Sequence, residues 1–468
     1  MRQREGFARR AGVESSLTSS SDSWSNRFAR SDAGPLDTAL RSCSRATMTS
    51  LRVPTEQATD LPSDAKTWRQ LKPLQWLVIV VIAAAGIYLR TNRTVTFTQS
   101  GPDELFYQKW VELTATYGVF SYPEIVGQYI AHQKDPTRVL MLPPLRISFI
   151  WPAALVHSTT GIAPLEALRG VACAASIATM FAAGAFAWRL AGLSSGLAVF
   201  ALMAFAPMEI YSAQRALIDG FFGLFALLSI WALWENLQRP DDRRLLVLYG
   251  LSIAVMVATK ENAFFVYLAI GGILIASHWL KFGRATRSLY LVTILAPAVT
   301  LLVFIIISGG VTQMLDVYRT NVQKSVIAPY ALETGDGPWQ RYLLDLLSVD
   351  PIILLLAVGA IFRVSQADKA ALHLILFLVL TYAVMCQVRY GMNLRYAVMW
   401  DMPLRWLAFW NLTLLVRSFT PRTRSVLLVA AVALLCLVQW RTYSILFVEH
   451  GIYDPVPAAL GSALKILK

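Results

Sequence analysis

Charge is scarce in this sequence. Of its 468 residues only 15% are charged, 56% are hydrophobic, and the mean hydropathy is +0.51. A soluble domain carries about 25% charged residues. A water-soluble enzyme or binding module is therefore excluded, and the composition predicts a polytopic membrane protein.

Cysteine and histidine are also sparse. The four cysteines, Cys43, Cys173, Cys386 and Cys436, show no paired or metal-like spacing. Three of them lie in apolar segments, where a small buried thiol is an ordinary core residue. The five histidines have no ligand spacing, so no histidine metal site is predicted.

Repeats and nucleic-acid motifs are absent from the sequence. No basic module with interleaved aromatic residues accompanies the formal charge of +13, so nucleic-acid binding is not expected. An excess of cytoplasmic Lys and Arg explains much of that charge in a membrane protein. The two halves do not resemble each other in hydropathy, unlike those of inverted-repeat transporters.

The N-terminal 72 residues are polar, rich in Ser and Arg, and without periodicity. This composition predicts a disordered cytoplasmic tail for residues 1–72. A signal peptide is not predicted, because no apolar core occurs early in the segment. Met48 is an alternative start of the chain.

Long apolar runs fill most of the remaining sequence and predict an all-α bundle of about eleven transmembrane helices by the length needed to cross a bilayer. The short loops between several runs are basic, which predicts that they and the N-terminus lie inside. The predicted spans are Leu74–Leu89, Leu168–Leu190, Ser194–Ile210, Ile218–Leu237, Leu245–Ala258, Ala263–Leu280, Ser288–Ile307, Ile352–Phe362, Ala371–Val388, Tyr396–Val416 and Val426–Trp440.

A long first outer loop, residues 90–166, separates the first two spans. Within it, Leu105–Tyr117 and Leu145–Val156 have helix-like apolar spacing, and we expect both to be juxtamembrane helices at the interface. Alternatively, Leu145–Val156 crosses the membrane. At the other end of the chain, residues 446–468 are expected to form a short outer segment.

Two adjacent carboxylates, Asp103 and Glu104, open the polar part of the first outer loop behind a Gly-Pro turn. Neighbouring carboxylates can divide labour, one accepting a proton while the other positions a hydroxyl or a cation. They could hold a divalent cation or none. The simpler interpretation is a solvated loop.

Two further ionisable residues stand on the same predicted side of the membrane. Asp219 begins a span, where the helix dipole alone favours an acid, and Arg215 four residues earlier could pair with it. Lys260 lies in a very short connection, where its ammonium could meet a phosphate. The alternative for Lys260 is an interfacial pair with Glu261.

Aromatic and basic residues mark two later outer segments. Arg389 and Arg395, each followed by Tyr, could bind phosphate through their guanidinium groups, or could lie at the interface as an aromatic belt. In the loop 308–350, Tyr330 and Trp339 suit stacking on sugar rings, although an ordinary outer loop explains them equally well. Asp401 and Arg405 are spaced to pair along a helix.

The order of these features resembles a known family. Asp103-Glu104 opens the first outer loop, Tyr211–Asp219 follows the third span, Thr259-Lys260-Glu261 joins two spans, and Asn393-Leu394-Arg395-Tyr396 precedes a late helix. Over roughly residues 73–445 the chain is similar to polyprenyl-phosphate-sugar-dependent glycosyltransferases with the GT-C fold. The subgroup is the dolichyl-phosphate-mannose-protein mannosyltransferase-like family, with the aminoarabinose transferases of lipid A and the Rgt-type lipopolysaccharide transferases.

The resemblance implies an inverting displacement at the anomeric carbon of a lipid-linked sugar. Asp103 corresponds to the first-loop acid that acts as base or positions the acceptor, with Glu104 beside it. Asp219 corresponds to the second-loop acid near the acceptor or a cation, and Arg215 is expected to contact acceptor or sugar.

The same resemblance implies a site for the donor phosphate. Lys260 corresponds to the lysine near that phosphate, and Arg395 and Tyr396 to an arginine-tyrosine motif. Two departures are visible: Glu261 stands where the family often has Gly or Trp, and the loop 308–350 lacks the histidines of some members.

The expected partners are a polyprenyl-phosphate sugar, a glycan, lipid or protein acceptor, and membrane lipids. The expected location is a bacterial inner membrane with the site facing outward. A transporter or flippase for a lipid-linked or anionic solute is the alternative function. It would place charges near the middle of the membrane, whereas this sequence places them at helix ends. A non-catalytic scaffold is a third class, which the large outer loops disfavour.

Overall fold

The computed structural model describes residues 71–94, 100–328, 337–388 and 392–452, which are largely helical and contain no β-strand. All of these belong to the unit Thr59–Lys468. The other unit, Met1–Ala58, lies outside the described residues, and so do almost all of the predicted tail 1–72 and most of the predicted outer segment 446–468.

The helices follow the apolar runs and begin at residues that favour helix starts. Proline occupies the first helical position of several of them, where its missing N–H costs no hydrogen bond. In chain order they are α1 Pro73–Thr91, α2 Pro102–Tyr117, α3 Tyr122–Lys134, α4 Ile147–Thr160, α5 Pro164–Ala191, α6 Leu193–Ala204, α7 Pro207–Gln214, α8 Ile218–Gln238, α9 Arg243–Val257, α10 Ala263–Leu280, α11 Arg287–Ser308, α12 Val311–Ser325, α13 Arg341–Val349, α14 Pro351–Ile361, α15 Lys369–Met385, α16 Asp401–Leu415 and α17 Pro421–Tyr443.

The longest apolar helices identify the membrane-spanning part of the chain. Among the described residues six helices are long and apolar enough to cross a membrane, and there are seven if the bent pair α6–α7 is one span. The six are Pro73–Thr91, Pro164–Ala191, Ile218–Gln238, Ala263–Leu280, Arg287–Ser308 and Pro421–Glu449. The expectation of an all-α integral membrane protein is confirmed.

The other predicted spans are helical but shorter. Arg243–Val257 has 15 residues, Pro351–Ile361 has 11, Lys369–Met385 has 17 and Asp401–Leu415 has 15. The count of about eleven transmembrane helices therefore stays a prediction. A 3-10 helix, Leu394–Trp400, forms the start of the span that was expected to begin at Tyr396.

The first outer loop is built from α2, α3 and α4. Leu105–Tyr117 and Leu145–Val156 are both helical, as expected, and α4 has only 14 residues, fewer than a span needs. These helices share a hydrophobic cluster with residues from the start of α5 and from α8, α11 and α12. Its fully buried members include Trp110, Tyr129 and Phe149. The loop is thus packed onto the ends of the bundle.

The predicted span Ser194–Ile210 is interrupted. Helices α6 and α7 meet at an angle of 53°, and Pro207 begins the second. Arg90, at the end of α1 and only 1% exposed, donates to the carbonyl oxygens of Met203 and Ala204 at distances of 2.9 and 3.0 Å. A guanidinium group from another helix thereby satisfies carbonyls at the end of α6.

Another buried ion cluster lies between α14 and α16. Arg405 Nη2 is 2.7 Å from Asp350 Oδ2, and Arg405 Nη1 is 3.0 Å from Asp401 Oδ1. The predicted pairing of Asp401 with Arg405 is therefore confirmed. Asp350 precedes α14, so this cluster joins α14 to the late helix α16.

Candidate active site

Helix α2 presents the two first-loop acids in its first turn. Gly101 is the N-cap residue and Pro102 the first helical residue, while Asp103 and Glu104 stand where the helix dipole favours negative charge. Successive side chains on a helix point about 100° apart. The two carboxylates therefore face different surroundings, although they are adjacent in sequence.

Glu104 is completely buried and accepts four hydrogen bonds. The backbone N–H groups of Gly101 and Ala216 donate at 2.7 and 2.8 Å, and the guanidinium groups of Arg169 and Arg215 donate at 3.0 Å each. Burial acts to raise the pKa of Glu104, but the hydrogen bonds from Ala216, Arg169 and Gly101 and the charge of Arg169 together hold the pKa below its usual value. This carboxylate connects α2 to the start of α5 and to the segment before α8.

Asp103 lies beside Arg395. Arg395 Nη1 donates to Asp103 Oδ2 at 3.0 Å, and the Asp103 side chain is 23% exposed while that of Arg395 is 2% exposed. The side chain of Asn393 accepts a hydrogen bond from the Arg395 backbone N–H and caps the 3-10 helix that carries Arg395. Of the two adjacent acids, Asp103 is the one that a ligand can reach.

Asp219 and Lys260 form a second pair. Lys260 Nζ lies 2.5 Å from Asp219 Oδ1, and its distance from the centroid of the Tyr396 ring is 3.6 Å. Burial lowers the pKa of the Lys260 ammonium to about 8, although Asp219 acts in the opposite direction. Arg215, a candidate partner of Asp219 from the sequence, donates to Glu104 Oε2 at 3.0 Å.

Glu261, the residue that departs from the family pattern, has its own partner. Arg146 Nη2 donates to Glu261 Oε2 at 2.8 Å, and Arg146 Nη1 contacts the hydroxyl of Tyr107. Burial acts to raise the pKa of Glu261, but the charge and hydrogen bond of Arg146, a backbone hydrogen bond and the charge of Lys260 together lower it. The interfacial pairing of Lys260 with Glu261 is therefore replaced by a pair between Glu261 and Arg146.

These pairs form one continuous cluster. Tyr396 follows Arg395 in sequence, and its ring lies against Lys260, so the pair of Asp103 with Arg395 adjoins the pair of Asp219 with Lys260. The cluster draws on α2, the start of α8, the α9–α10 connection and the 3-10 helix Leu394–Trp400.

Three further residues were predicted to contact the donor or acceptor, namely Trp339, Tyr330 and Arg389. Trp339 is 60% exposed, and its carbonyl oxygen accepts a hydrogen bond from the hydroxyl of Tyr382. Tyr330 and Arg389 lie outside the described residues.

Sequence reasoning missed two arginines that shape the site. Arg169 holds Glu104, and Arg146 holds Glu261. Arg169 lies inside the predicted span Leu168–Leu190, and an ionisable residue within a span was the signal that could have found it. Arg146 lies at the start of the predicted apolar segment Leu145–Val156, so it offered a similar signal.

The described residues do not form a metal site. No three His, Cys, Asp or Glu side chains within the described ranges lie close enough together to hold an ion. Asp103 and Asp219, two acids of the candidate site, are each paired with a cationic side chain.

Residues 115–313 match the family model described as dolichyl-phosphate-mannose-protein mannosyltransferase. This range contains Asp219 and Lys260, begins after Asp103 and ends before Arg395. No curated protein sequence matches the chain.

Three solved structures share the fold at low sequence identity. The Archaeoglobus fulgidus oligosaccharyltransferase in the apo form is 13% identical, with a TM-score of 0.56, over 81% of this chain and 56% of its own. The oligosaccharyltransferase AglB of the same organism, with an inhibitory peptide and a dolichol-phosphate, is 13% identical with a TM-score of 0.55, over 84% and 57%. ArnT from Cupriavidus metallidurans bound to undecaprenyl phosphate is 15% identical with a TM-score of 0.50, over 77% and 63%.

This chain spans between 56% and 63% of the length of those three chains. At sequence identities of 13–15%, the likeness to these structures establishes the fold alone. The resemblance to the family is confirmed separately by the match over residues 115–313. The chain is an integral membrane protein with the GT-C fold of these glycosyltransferases, and its central part carries the sequence pattern of the protein mannosyltransferase family.

Proposed function

We propose that the chain is a glycosyltransferase that moves a sugar from a polyprenyl-phosphate donor to an acceptor, with the transmembrane region 73–445 as its catalytic domain. The observation that carries this proposal is the cluster at Tyr396. There two buried cations, Lys260 and Arg395, lie with a reachable carboxylate, Asp103. Cations suit a lipid phosphate, and a carboxylate suits the proton of an attacking hydroxyl.

The reaction is a direct displacement at the anomeric carbon. An oxygen or nitrogen of the acceptor forms the new bond as the bond from the carbon to the phosphate oxygen breaks, and that electron pair remains on the polyprenyl phosphate. Asp103 takes the proton of the acceptor. Lys260 and Arg395 stabilise the charge that develops on the leaving phosphate, where preorganised cations contribute most.

Glu104 and Arg215 act as positioning residues in this proposal. Glu104 is fully buried and saturated with donors, which supports a role in fixing the start of α2, and thus Asp103, rather than in proton transfer. Arg215 holds Glu104 and is therefore assigned to the same function. Asp219 orients the Lys260 ammonium toward the Tyr396 face.

The proposed donor is a lipid-linked sugar, and the acceptor is a peptide, glycan or lipid. This is supported by ArnT, which was solved with undecaprenyl phosphate, and by AglB, which was solved with a dolichol-phosphate and a peptide. The predicted contact residues for donor or acceptor are Tyr330, Trp339 and Arg389, and these stay predictions.

The proposed orientation places the site on the outer face of a bacterial inner membrane. The short basic connections around Arg239–Arg244 and Lys281–Arg287 support this orientation, because such loops favour the cytoplasmic side. The basic connections precede α9 and follow α10, whereas Lys260 lies in the connection between the two helices. In this orientation Lys260 therefore lies at the other ends of these helices, on the outer side.

Turnover of radiolabelled polyprenyl-phosphate sugars by the full chain in nanodiscs tests the function. We expect donor-dependent transfer by the wild type and a large loss in Asp103→Asn. Transfer retained in Asp103→Asn would move the base to another group. Movement of the lipid-linked sugar across a sealed vesicle membrane, without transfer to any tested acceptor, would replace the enzyme with the transporter alternative.

A further inference from the structure

Helix α13 turns its charged side chains inward and its leucines outward. Arg341 and Asp345, one helical turn apart, are 8% and 1% exposed, whereas Leu344 and Leu347 are 54% and 40% exposed. A helix on a soluble surface shows the reverse pattern. In a membrane protein this arrangement fits leucines against lipid and a polar interior behind the helix.

Asp345 is a buried carboxylate that accepts no hydrogen bond. Both of its oxygens are buried without a partner, and Arg341 Nε is 3.9 Å from Asp345 Oδ2, beyond hydrogen-bonding distance. The side-chain oxygen of Gln340, the N-cap residue of α13, is likewise buried without a partner. Buried polar atoms nearly always have a partner, because an unpaired one costs free energy.

Burial also raises the pKa of the Asp345 carboxyl to about 7, against the influence of Arg341. The three unpaired oxygens on Gln340 and Asp345 can all accept hydrogen bonds. A group that binds at Gln340 and Asp345 would therefore have to supply hydrogen-bond donors.

Contacts connect α13 to the candidate active site. The ring of Tyr342 meets the ring of Trp400 edge-on, with 5.4 Å between centroids, and Trp400 ends the 3-10 helix that carries Arg395 and Tyr396. The pKa of Tyr342 is raised by burial first, and then by Tyr396 and Asp345. Helix α13 therefore packs against the segment that carries Arg395 and Tyr396.

We propose that Asp345, with Gln340 beside it, forms a subsite that accepts hydrogen bonds from the hydroxyl groups of the donor's sugar ring. Trp339, the next residue toward the N-terminus, is largely exposed and offers an aromatic face to the same ring. This inference rests on the proposed function and assigns Asp345 as a residue that determines sugar specificity.

A carboxylate without a hydrogen-bond partner and a carboxylate in a short ion pair respond differently to amidation. Asp345→Asn removes no internal hydrogen bond, so the melting temperature of the ligand-free protein should stay unchanged or rise. The matched control is Asp350→Asn, which disrupts the 2.7 Å pair with Arg405 and should lower the melting temperature. A fall in Asp345→Asn as large as that in Asp350→Asn would overturn the proposal.

Ligand binding supplies the second measurement. The full chain in nanodiscs is titrated with undecaprenyl phosphate and with its mannose, glucose and galactose derivatives, and the shift in melting temperature is recorded. We expect at least one of the sugar-bearing lipids to raise the melting temperature more than undecaprenyl phosphate alone does. Asp345→Asn should lose that addition while keeping the lipid-phosphate shift, and the affinity for the sugar-bearing lipid should fall about tenfold.

These outcomes separate the subsite from the proposed function. If wild type shows a sugar-dependent shift that Asp345→Asn loses, the subsite stands even where no transfer is detected. If the shift persists in Asp345→Asn, or if no sugar adds to the wild-type shift, the subsite is wrong even where transfer is observed.

Discussion

Arg395 Nη1 lies 3.0 Å from Asp103 Oδ2, although 292 residues separate the two in the chain. The contact joins the first turn of α2 to the 3-10 helix before α16. Because Arg395 is buried and Asp103 is partly exposed, the pair fixes the direction of the carboxylate while leaving it accessible. A base in such a position can receive a proton without losing its orientation.

Asp103→Asn should lower the rate of sugar transfer by about 10²–10⁴-fold, the range expected for loss of a general base. The amide keeps the shape of the carboxylate, but the buried Arg395 loses a charged partner, so the melting temperature should fall as well. Radiolabel transfer and a thermal melt measure the two effects. Asp135→Asn, at an exposed acid that pairs with Arg138, is the control and should keep wild-type transfer.

Glu104→Gln should destabilise the fold, because two guanidinium groups lose a buried charged partner. A loss of about 3–5 kcal/mol in the free energy of unfolding is expected from breaking a buried ion pair. Denaturation in detergent measures it. The exposed Glu112→Gln, which disturbs only a contact with Gln108, should stay within about 0.5 kcal/mol. Equal stability of the two variants would contradict the anchoring role of Glu104.

Binding of undecaprenyl phosphate should weaken as pH rises through about 8. Burial lowers the pKa of Lys260 from 10.5 to about 8, so its phosphate-binding ammonium form is present below that pH and lost above it. The unfolded chain keeps this proton up to about pH 10.5, so the group's contribution to stability increases with pH between the two values.

Dissociation constants measured from about pH 6.5 to 9.5 test this expectation, since a lysine of ordinary pKa would stay charged throughout. Lys260→Arg keeps the charge across the range, and its affinity should lack the change near pH 8. If the affinity of Lys260→Arg also fell near pH 8, the titrating group would be a residue other than Lys260.

Glu261→Gln should have opposite effects on stability and on phosphate binding. The buried Arg146 loses its 2.8 Å ionic partner, and we expect unfolding to become easier by about 2 kcal/mol. The site also loses a negative charge beside Lys260, so undecaprenyl phosphate should bind several-fold more tightly. Calorimetry measures the affinity for undecaprenyl phosphate, and a thermal melt measures the stability. Asp316→Asn, in the exposed pair with Lys134, should change neither.

Local sequence pattern was enough to predict the helices, because apolar runs of membrane length leave few alternatives. Ala263–Leu280 has the expected bounds, and Ile218–Gln238 differs from expectation by one residue. The break between α6 and α7 was not predicted, although Pro207 marks it in the sequence; the group that satisfies the carbonyls at the break, Arg90, comes from a different helix. A single apolar run cannot reveal such a partner.

The candidate site could be predicted by residue type but not by pairing. Asp103, Asp219, Lys260 and Arg395 were identified from their positions at predicted helix ends. Which acid would be buried was not visible, because Asp103 and Glu104 are adjacent and chemically alike. The distinction arises from Arg169 and the Ala216 amide, which reach α2 from remote parts of the chain.

Arg90 also bears on how the chain is assembled. Its guanidinium group supplies the donors for the Met203 and Ala204 carbonyls, and these lie more than a hundred residues later in the chain. During synthesis α1 emerges first, so the donor is already present when the interrupted segment α6–α7 reaches the bilayer. Helix α1 thus acts as an internal assembly partner for the interrupted segment α6–α7. In a truncated chain without α1, the Met203 and Ala204 carbonyls would lose these hydrogen bonds.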